Sequence, residues 1–420
     1  MRDANQDPIL KPAADPRIWR LDPKVTFLNH GSFGSCPRPV LHYQEELRRR
    51  LERQPVRFLA RELEGMLDEA RGALGRFLGA HPDDLVFVPN STAGVNSVLR
   101  SLSFEAGDEL LVTDHEYNAC RNALEFVAQR SGARVVVAGI PFPLANPNQI
   151  IEGVLAAVTS RTRLALLDHV TSQTGLVLPA ARLVRELAER GVPTLVDGSH
   201  APGMVPLDLQ EVGAAYYTGN CHKWLCAPKG AGFLHVQRER QGSIRPLSIS
   251  HGANSTRLDR SRFLIEFGWT GTFDPSAVLS VPEALQFVGS LLPGGWPEIM
   301  KRNRNLVLAG RKILCAALGI DPPCPEELIG ALASVRIPDA PLAEKPSSPL
   351  YSDPLQERLY AEYGIEVPVI PWPTVDRHAP SQPRLLRISA QLYNSLPQYQ
   401  LLAEALRTLL APGSLKAGGA

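Results

Sequence analysis

The sequence predicts an α/β fold: a large domain built on a mostly parallel sheet, followed by a smaller α+β domain. Apolar, β-rich runs alternate with helix-period segments through about the first two-thirds of the chain. After about residue 280 the pattern changes to long amphipathic helices and short strands. The predicted division is an N-terminal tail at 1–22, a large domain at 23–285, a small C-terminal domain at 286–411 and a disordered tail at 412–420.

The strands of the large domain are predicted from a series of apolar runs. They read DLVFVPN, DELLVTDHE, ARVVVAGI, RLALLDHV, PTLVDGSH, AAYYTGN and GAGFLHV. Each run ends in polar or glycine residues, and helical patterns such as LVRELAERG separate several of them. Open α/β sheets bind ligands at the carboxyl ends of their strands. The polar residues that end these runs are therefore the first candidates for a site.

The small domain is predicted from weaker signals. ALASVRIP and LLRIS have the character of short strands, and a final helix is expected near YQLLAEALRTLL. Between them lies the Pro-rich connector PDAPLAEKPSSPL.

Composition narrows the classes of partner. The chain has 420 residues, 44% of them hydrophobic, and a formal net charge of +1. Such a balance gives no electrostatic reason to expect a nucleic acid or an anionic membrane, so a small molecule is the expected partner. The polar N-terminus has no apolar signal-peptide core, and no uncharged apolar run is long enough to cross a bilayer. We therefore expect a cytoplasmic protein.

The six cysteines are scattered along the chain. No CxxC pair is matched by a second pair that would complete a metal site, so no metal is predicted. Reduced thiols are expected.

The strongest chemical signal joins two strand ends. Asp197 ends the run TLVD, and Lys223 follows the run AAYYTGN in the segment GNCHKWL. An enzyme that uses pyridoxal 5′-phosphate (PLP) needs a lysine that binds the cofactor covalently and a carboxylate that keeps the pyridine nitrogen protonated. Taken singly, the aspartate is more often a cap and the lysine a surface charge. The joint pattern favours the PLP site.

These segments also carry a family resemblance. VDGSHAPG, GNCHKWLCAPKGAGFL, GWTGTFDPS and LLRISAQLYN resemble motifs of the class V aminotransferase superfamily of fold-type I PLP enzymes, in particular its isopenicillin N epimerase-like branch. The resemblance extends from about Phe27 to Leu410, and the motifs occur in the expected order.

The resemblance implies roles around the cofactor ring. Lys223 would form the Schiff base and Asp197 would pair with the pyridinium. His200 would donate a hydrogen bond to the phenolic oxygen, and His222 would lie on the phosphate side, with Asn220 also among the cofactor-binding residues. A histidine beside a buried strand can equally be a satisfied polar residue of the core.

A phosphate site is predicted in VPNSTAGVNSVLRSL. Small residues at a helix N-terminus leave backbone N–H groups available to an anion, and the hydroxyls of Ser91 and Thr92 add donors beside Ala93. The alternative is that Ser91 or Asn90 only caps the helix. In class V relatives this turn holds the PLP phosphate, which favours the binding role.

The segment LLVTDHEYNACRNAL is expected to supply the residue that stacks on the pyridine ring. Alignment by motif puts Tyr117 in that position. His115 is the competitor, although its place next to Asp114 makes a turn or capping role at least as plausible.

The turn in LLDHVTSQTGLVLP is the next candidate. In relatives a residue here contacts the substrate or the phenolic oxygen, so Ser172 and Gln173 are carried over. The alternative is that Thr171 to Thr174 forms only a polar turn.

Gly271 and Thr272, in FGWTGTFDPS, carry an expectation about assembly. In the family this turn reaches the PLP phosphate of the neighbouring subunit. The resemblance therefore implies a homodimer with shared active sites.

Arg387 in RLLRISAQLYN lies where class V enzymes bind the substrate α-carboxylate, so the resemblance implies that role for it. A guanidinium suits the role because it offers a carboxylate two parallel donors. Arg384, on the approach to this strand, is expected at the surface. Near the N-terminus, FLNHGSFGSCPRP resembles the segment that lines the substrate entrance. Asn29 and His30 are therefore plausible substrate contacts, with a turn role equally open.

The predicted cofactor site does not identify the reaction, because the superfamily contains transaminases, cysteine desulfurases, C–S lyases, kynureninases and epimerases. Desulfurases of this class use a loop cysteine before the arginine strand, but EYGIEVPVIPWPTVDRHAPSQPRLLRIS contains none. Epimerase-like removal of the Cα proton of an amino acid or a derivative of one is the first interpretation, with Lys223 as base. The acid on the opposite face is open, with Tyr117 and His30 as candidates.

Other interpretations remain. A C–S lyase needs the same lysine and arginine and no nucleophilic cysteine, and an aminotransferase ranks third. A non-catalytic binding module on the same fold is disfavoured because Lys223, Asp197 and Arg387 occur together.

Overall fold

The computed structural model describes residues 9–340, 353–373 and 382–411. The predicted tail at 412–420 and residues 341–350 of the Pro-rich connector lie outside the described residues. The strands are β1 (Thr26–Phe27), β2 (Leu85–Val88), β3 (Glu109–Thr113), β4 (Arg134–Ala138), β5 (Thr162–Asp168), β6 (Thr194–Asp197), β7 (Tyr216–Asn220), β8 (Gly232–Val236), β9 (Leu332–Ala340), β10 (Ile365–Glu366), β11 (Val369–Pro371) and β12 (Gln382–Ser389). The α-helices are α1 (His30–Phe33), α2 (Arg38–Arg53), α3 (Pro55–Arg57), α4 (Leu63–Leu78), α5 (Ser91–Ser101), α6 (Asn118–Ser131), α7 (Asn148–Ala156), α8 (Ala180–Ala188), α9 (Leu209–Val212), α10 (Arg262–Gly268), α11 (Ser276–Leu279), α12 (Val281–Gly289), α13 (Gly295–Leu318), α14 (Pro354–Tyr363) and α15 (Leu396–Leu409).

The large sheet has seven strands in the order β2-β8-β7-β6-β5-β3-β4. The pairs β3–β4, β3–β5, β5–β6 and β6–β7 are parallel, and β8 runs antiparallel to both of its neighbours, β2 and β7. Each of the apolar runs forms one strand of this sheet. The prediction of a mostly parallel sheet is therefore confirmed.

Burial explains why the central strands are apolar throughout. Every residue of β3, β7 and β8 is buried, as expected where helices cover both faces of a sheet. The register aligns Asp168 of β5 with Asp197 of β6, and Asp197 with Thr218 of β7. The polar ends of three neighbouring parallel strands therefore meet at one edge of the sheet.

The C-terminal part contains a second, antiparallel sheet in the order β11-β12-β9. Buried apolar side chains of α13 and α15, among them Leu306, Leu314 and Leu402, belong to the same core as those of β9 and β12. The strands predicted from ALASVRIP and LLRIS and the final helix are all present. The boundary at 285/286 stays a prediction.

The N-terminal residues join this C-terminal part. Strand β1 pairs in parallel with β10, and the backbone N–H of Ala13 donates to the carbonyl of Leu392 at 2.8 Å. Trp19 is buried and meets the ring of Tyr393 edge-on at 5.1 Å between centroids. No helix in the described part of the chain has both the length and the apolar character needed to cross a membrane.

Candidate active site

Asp197 is buried at the end of β6 and accepts three hydrogen bonds. Its Oδ1 accepts from the backbone N–H of Ser199 at 2.9 Å and from the Ser199 hydroxyl at 2.6 Å. Its Oδ2 accepts from the Cys120 thiol, whose sulfur lies 3.2 Å away. Donors aimed at a carboxylate favour its charged form. This side chain can therefore hold a negative charge in the protein interior.

Lys223 lies in the loop after β7, with its Nζ 3.0 Å from Nε2 of His200. Burial lowers the pKa of Lys223 to about 8, although the charge of Asp197 acts in the opposite direction. An amine with this pKa is partly neutral near physiological pH. The neutral amine can attack a carbonyl carbon or accept a proton.

His200 lies between Lys223 and Trp224. The indole N–H of Trp224 donates to Nδ1 of His200 at 3.4 Å, so we assign the proton of the neutral imidazole to Nε2. Burial holds the pKa of His200 well below its usual value. His200 therefore offers one N–H toward Lys223, which suits the predicted donor to a phenolic oxygen.

His30 secures the Lys223 loop from the N-terminal side. Its Nε2 lies 3.0 Å from the Lys223 carbonyl oxygen and its Nδ1 lies 2.8 Å from the Tyr393 hydroxyl. Burial lowers the pKa of His30 to about 3. Gly34 (φ +67°) allows the chain that follows His30 to lie against the Lys223 loop, because a Cβ at Gly34 would lie 2.0 Å from the His222 carbonyl oxygen. With both ring nitrogens engaged, His30 positions the loop.

His222 and Asn220 connect β7 to its neighbours. Nδ1 of His222 lies 3.0 Å from the carbonyl oxygen of Ala231, and burial lowers the pKa of His222 to about 4. Oδ1 of Asn220 accepts from the backbone N–H of Ser91 at 2.9 Å. The end of β7 is thereby fixed against the first turn of α5, where the phosphate is predicted.

The first turn of α5 fits an anion. Asn90 is the cap, since its Oδ1 accepts from the backbone N–H of Ala93 at 2.9 Å. Ser91 is therefore not needed as a cap, and its hydroxyl oxygen is buried with no hydrogen-bond partner among the described residues. Thr92 is half-buried beside it. A buried, unsatisfied hydroxyl at a helix N-terminus suits a phosphate oxygen.

Tyr117 and His115 have different environments. His115 is buried, with Nδ1 2.8 Å from the Thr174 hydroxyl and Nε2 3.0 Å from the Ile140 carbonyl oxygen. Tyr117 precedes α6, and 38% of its surface is exposed. The ring of His115 is thus held in the protein wall, which favours Tyr117 as the stacking residue.

Arg387 joins three segments at the other end of the site. Its Nη1 donates to the Ser172 carbonyl oxygen at 2.6 Å and to the Ser172 hydroxyl at 3.3 Å. Its Nη2 donates to the Ser32 hydroxyl at 2.7 Å and to Oδ1 of Asn29 at 3.4 Å. Gln173 lies in the same turn, and its amide nitrogen donates to the Glu116 carbonyl oxygen at 3.5 Å. The structure thus brings Arg387, Ser172 and Asn29 together.

The expectation that Arg384 lies at the surface is wrong. Arg384 is 5% exposed and forms an ion pair with Asp353, in which its Nη1 donates to both carboxylate oxygens, at 2.9 and 3.0 Å. It also donates to the carbonyl oxygen of Pro338. The sequence could not reveal this burial because Asp353 lies far away along the chain.

Gly271 and Thr272 stand apart from this network. They lie in the surface loop between α10 and α11, where Gly271 is half-buried with φ +124° and Thr272 is exposed. Their predicted role concerns a neighbouring subunit and stays a prediction.

Sequence reasoning missed several polar neighbours of the site. Cys120 donates to Asp197, and Trp224 donates to His200. Glu116 and Asp168 are buried acids near Asp197. Both acids end a strand run, in DHEY and LLDH, which was a usable signal. Ser32 gave none.

These residues fit PLP in charge and in donor type. A lysine with a lowered pKa, a carboxylate with three donors and a buried unsatisfied hydroxyl at a helix N-terminus match its aldehyde, pyridine nitrogen and phosphate.

Comparisons with known proteins agree with this assignment. The family model for aminotransferase class V matches residues 37–314. An isopenicillin N epimerase from Amycolatopsis lactamdurans is 39% identical, covering 93% of this chain and 96% of the relative. A probable chloroplastic L-cysteine desulfhydrase from Arabidopsis thaliana is 32% identical, covering 93% and 84%. The solved complex of the cystine C–S lyase C-DES with its product cysteine persulfide matches with a TM-score of 0.73 and 22% identity, covering 91% and 97%.

The chain therefore belongs to the aminotransferase class V family. It is a PLP-dependent enzyme with the α/β architecture of fold type I.

Proposed function

We propose that this enzyme removes the Cα proton of an amino acid or amino-acid derivative and inverts that centre, as an isopenicillin N epimerase does. The observation that carries the proposal is the pKa of Lys223, which burial lowers to about 8. The charge of Asp197 raises this pKa and the charge of Arg387 lowers it. Similarity to isopenicillin N epimerase over nearly the whole chain supports inversion as the outcome.

The chain's residues divide the work as follows. Arg387 would bind the substrate carboxylate through its two terminal nitrogens, giving up its longer contacts with the Ser172 hydroxyl and Asn29. The shorter contacts with the Ser172 carbonyl oxygen and the Ser32 hydroxyl would keep the guanidinium oriented. Bound PLP would supply the electron sink for the electron pair that the departing Cα proton leaves behind. Lys223 would take that proton on one face, since its neutral amine is available near pH 8.

Inversion also requires a proton from the opposite face. Of the two candidates, His30 has both ring nitrogens engaged, whereas Tyr117 is partly exposed beside the site. Tyr117 is therefore our candidate for the second acid, with its phenol replenished from solvent.

The test is incubation in D₂O with L- and D-amino acids, including both epimers of isopenicillin N, under conditions of single and multiple turnover. Exchange at Cα and a change of chirality are expected, without pyruvate or sulfide. Exchange with retention of configuration would overturn inversion, and absence of exchange from every substrate would overturn Cα proton removal.

A second function is favoured by a specific observation, the similarity to a probable L-cysteine desulfhydrase. β-Elimination starts from the same proton removal by Lys223 and needs only a leaving group on Cβ. Formation of pyruvate and sulfide from L-cysteine, faster than any epimerisation, would select this lyase reaction.

We also propose that the enzyme is a homodimer in which Gly271 and Thr272 reach the phosphate of the partner. Large apolar residues in the segment 247–258, which precedes this loop along the chain, are exposed, among them Leu247 (46%), Ile249 (63%) and Leu258 (97%). A second copy would cover this surface. Sedimentation should give a dimer, and Ile249→Glu with Leu258→Glu should give a monomer that retains PLP weakly. A wild-type monomer with full PLP occupancy would contradict this.

A further inference from the structure

Glu116 is a buried acid whose role the preceding mechanism leaves open. It lies in the turn between β3 and α6 and is 6% exposed. Neither of its carboxylate oxygens has a hydrogen-bond partner among the described residues. One of these oxygens, the Cys120 sulfur and an oxygen of Asp197 all lie within 4.8 Å of one another. Asp168, beside Asp197 in the sheet, likewise has an unpartnered Oδ2 in the described structure.

Two buried carboxyl groups at this separation do not both ionise, because their repulsion is poorly screened away from water. The donors decide which group keeps the charge. Asp197 accepts from the backbone and hydroxyl of Ser199 and from the Cys120 thiol. Among the described residues, only the backbone N–H of Tyr117 acts as a donor toward Glu116, and its geometry does not make a full hydrogen bond. The negative charge therefore belongs on Asp197 and the proton on Glu116.

The surroundings of Glu116 point in the same direction. The charged and titratable groups that face it are Asp197 on β6, Asp168 on β5, and Cys120 and Arg121 on α6. Burial, followed by the charge of Asp197, raises the pKa of Glu116 well above its usual value. Arg121 and the backbone N–H of Tyr117 act in the opposite direction without overcoming burial. Burial raises the pKa of Asp168 in the same way.

We propose that Glu116 is a neutral carboxylic acid in the resting enzyme and a positioning residue for Asp197, confining the negative charge behind the pyridine ring to that one carboxylate. The inference rests on the proposed role of Asp197 as the partner of the pyridine nitrogen. The Glu116 O–H is close enough to reach Asp197 after a small side-chain movement. Such a hydrogen bond would weaken Asp197 as a base and so moderate how strongly it holds the pyridinium proton.

The location of the proton can be measured without turnover. Infrared spectra of the cofactor-free protein at neutral pH should contain the carbonyl stretch of a protonated carboxylic acid that disappears in Glu116→Gln. The matched control is Glu189→Gln, which removes an exposed carboxyl at the end of α8. An unchanged carbonyl stretch in Glu116→Gln would show that Glu116 is ionised and would overturn the proposal.

Stability gives a second measurement. Because the pKa of Glu116 is raised in the folded protein, its contribution is fully present below about pH 4.5, the value for an unperturbed side chain, and is lost as pH rises toward the folded-state pKa. Glu116→Gln does not titrate. Its melting temperature relative to wild type should therefore rise between about pH 5 and neutrality, and that of Glu189→Gln should not. A pH-independent difference would contradict a neutral Glu116.

The holoenzyme tests the positioning role. Glu116→Gln keeps a neutral donor, so the visible absorbance of the bound cofactor and its pH titration should match wild type. Glu116→Met removes the donor and should shift that titration. If Glu116→Gln shifted the titration as far as Glu116→Met, a neutral donor at this position would not control Asp197, and the positioning role would be overturned. Failure of Cα exchange in the wild type would overturn the proposed reaction and leave the infrared result unaffected.

Discussion

The pyridine end and the arginine end of the site balance charge in different ways. At the pyridine end, three acids converge, and only Asp197 is well supplied with donors. At the arginine end, the guanidinium of Arg387 donates to neutral oxygens of Ser172, Ser32 and Asn29. Lys223 is influenced by the charges at both ends, since Asp197 raises its pKa and Arg387 lowers it.

The difference shows how the protein orients a substrate that carries both charges. On the proposed roles, Arg387 would accept the substrate carboxylate, and Asp197 would stabilise the protonated pyridine nitrogen of the cofactor. Both ends are buried, so little water screens them from each other. Substitutions at each end and between them should therefore have effects of different kinds.

The largest effect is expected between the two ends. Lys223 is proposed both to hold PLP covalently and to act as the base, so Lys223→Ala should lower Cα exchange by about 10⁴-fold or more. Borohydride reduction and peptide mapping of the wild type should label Lys223 alone. Lys229→Ala is the control, since its Nζ contacts only a backbone carbonyl, that of Gly34, in the described structure. Labelling of Lys229 instead would show that Lys223 is not the lysine that binds PLP.

At the pyridine end, Asp197→Asn should retain PLP but slow Cα exchange by about 10²–10³-fold, because a neutral side chain no longer stabilises the pyridinium. The measurement is deuterium incorporation at saturating substrate. Asp168→Asn should cost much less, because burial already favours the neutral form of Asp168. Near-normal exchange in Asp197→Asn would remove Asp197 from the mechanism.

At the arginine end, Arg387→Lys keeps the charge but loses the two-pronged geometry, and one charge-assisted hydrogen bond is worth about 1.5–3 kcal/mol. The KM of an amino-acid substrate should therefore rise about 10–100-fold. Arg384→Lys cannot keep both the ion pair with Asp353 and the hydrogen bonds to Pro338, so it should lower the melting temperature with KM unchanged. The reverse outcome would mean that Arg384 binds the substrate.

A smaller effect is expected from pH. Capture of PLP by the cofactor-free protein needs the neutral amine of Lys223, whose pKa is about 8. Because the charged form cannot attack, the rate should rise about tenfold per pH unit below that value and level off above it. Stopped-flow absorbance between pH 6 and 10 would measure it; a rise that continued to about pH 10 would show an unperturbed lysine.

The smallest effect is expected from the cysteines away from the Lys223 loop. Cys36, Cys120, Cys315 and Cys324 are buried, and burial raises the pKa of each thiol. Replacing all four by serine should leave turnover within about tenfold, because a serine hydroxyl in place of the Cys120 thiol can still donate to Asp197. Mass spectrometry after incubation with L-cysteine should find no persulfide. A persulfide on one cysteine, lost with activity in its serine variant, would favour a sulfurtransferase.

Much of the fold was predictable because strand runs and their polar ends are local features of the sequence. Asp197 and Lys223 could be proposed as site residues for the same reason, since each lies at or just after the end of a recognisable strand. The seven predicted strands of the large sheet all appear.

What escaped prediction depends on contacts between distant segments. Arg384 is buried because Asp353, on a different element, pairs with it. The thiol of Cys120 reaches Asp197 from another helix. Burial sets whether Glu116 is charged, and burial is a property of the packed structure rather than of the turn that contains it. Periodicity carries no information about such pairs.

The contact of His30 with Lys223 and Tyr393 has a consequence for the order in which the protein is made. His30 is synthesised early, the Lys223 loop in the middle and Tyr393 near the end of the chain. A nascent chain that has already exposed Lys223 still lacks the hydroxyl that holds the His30 ring in place. The hydrogen bond that fixes the His30 ring beside the lysine loop can therefore form only after residue 393 has left the ribosome.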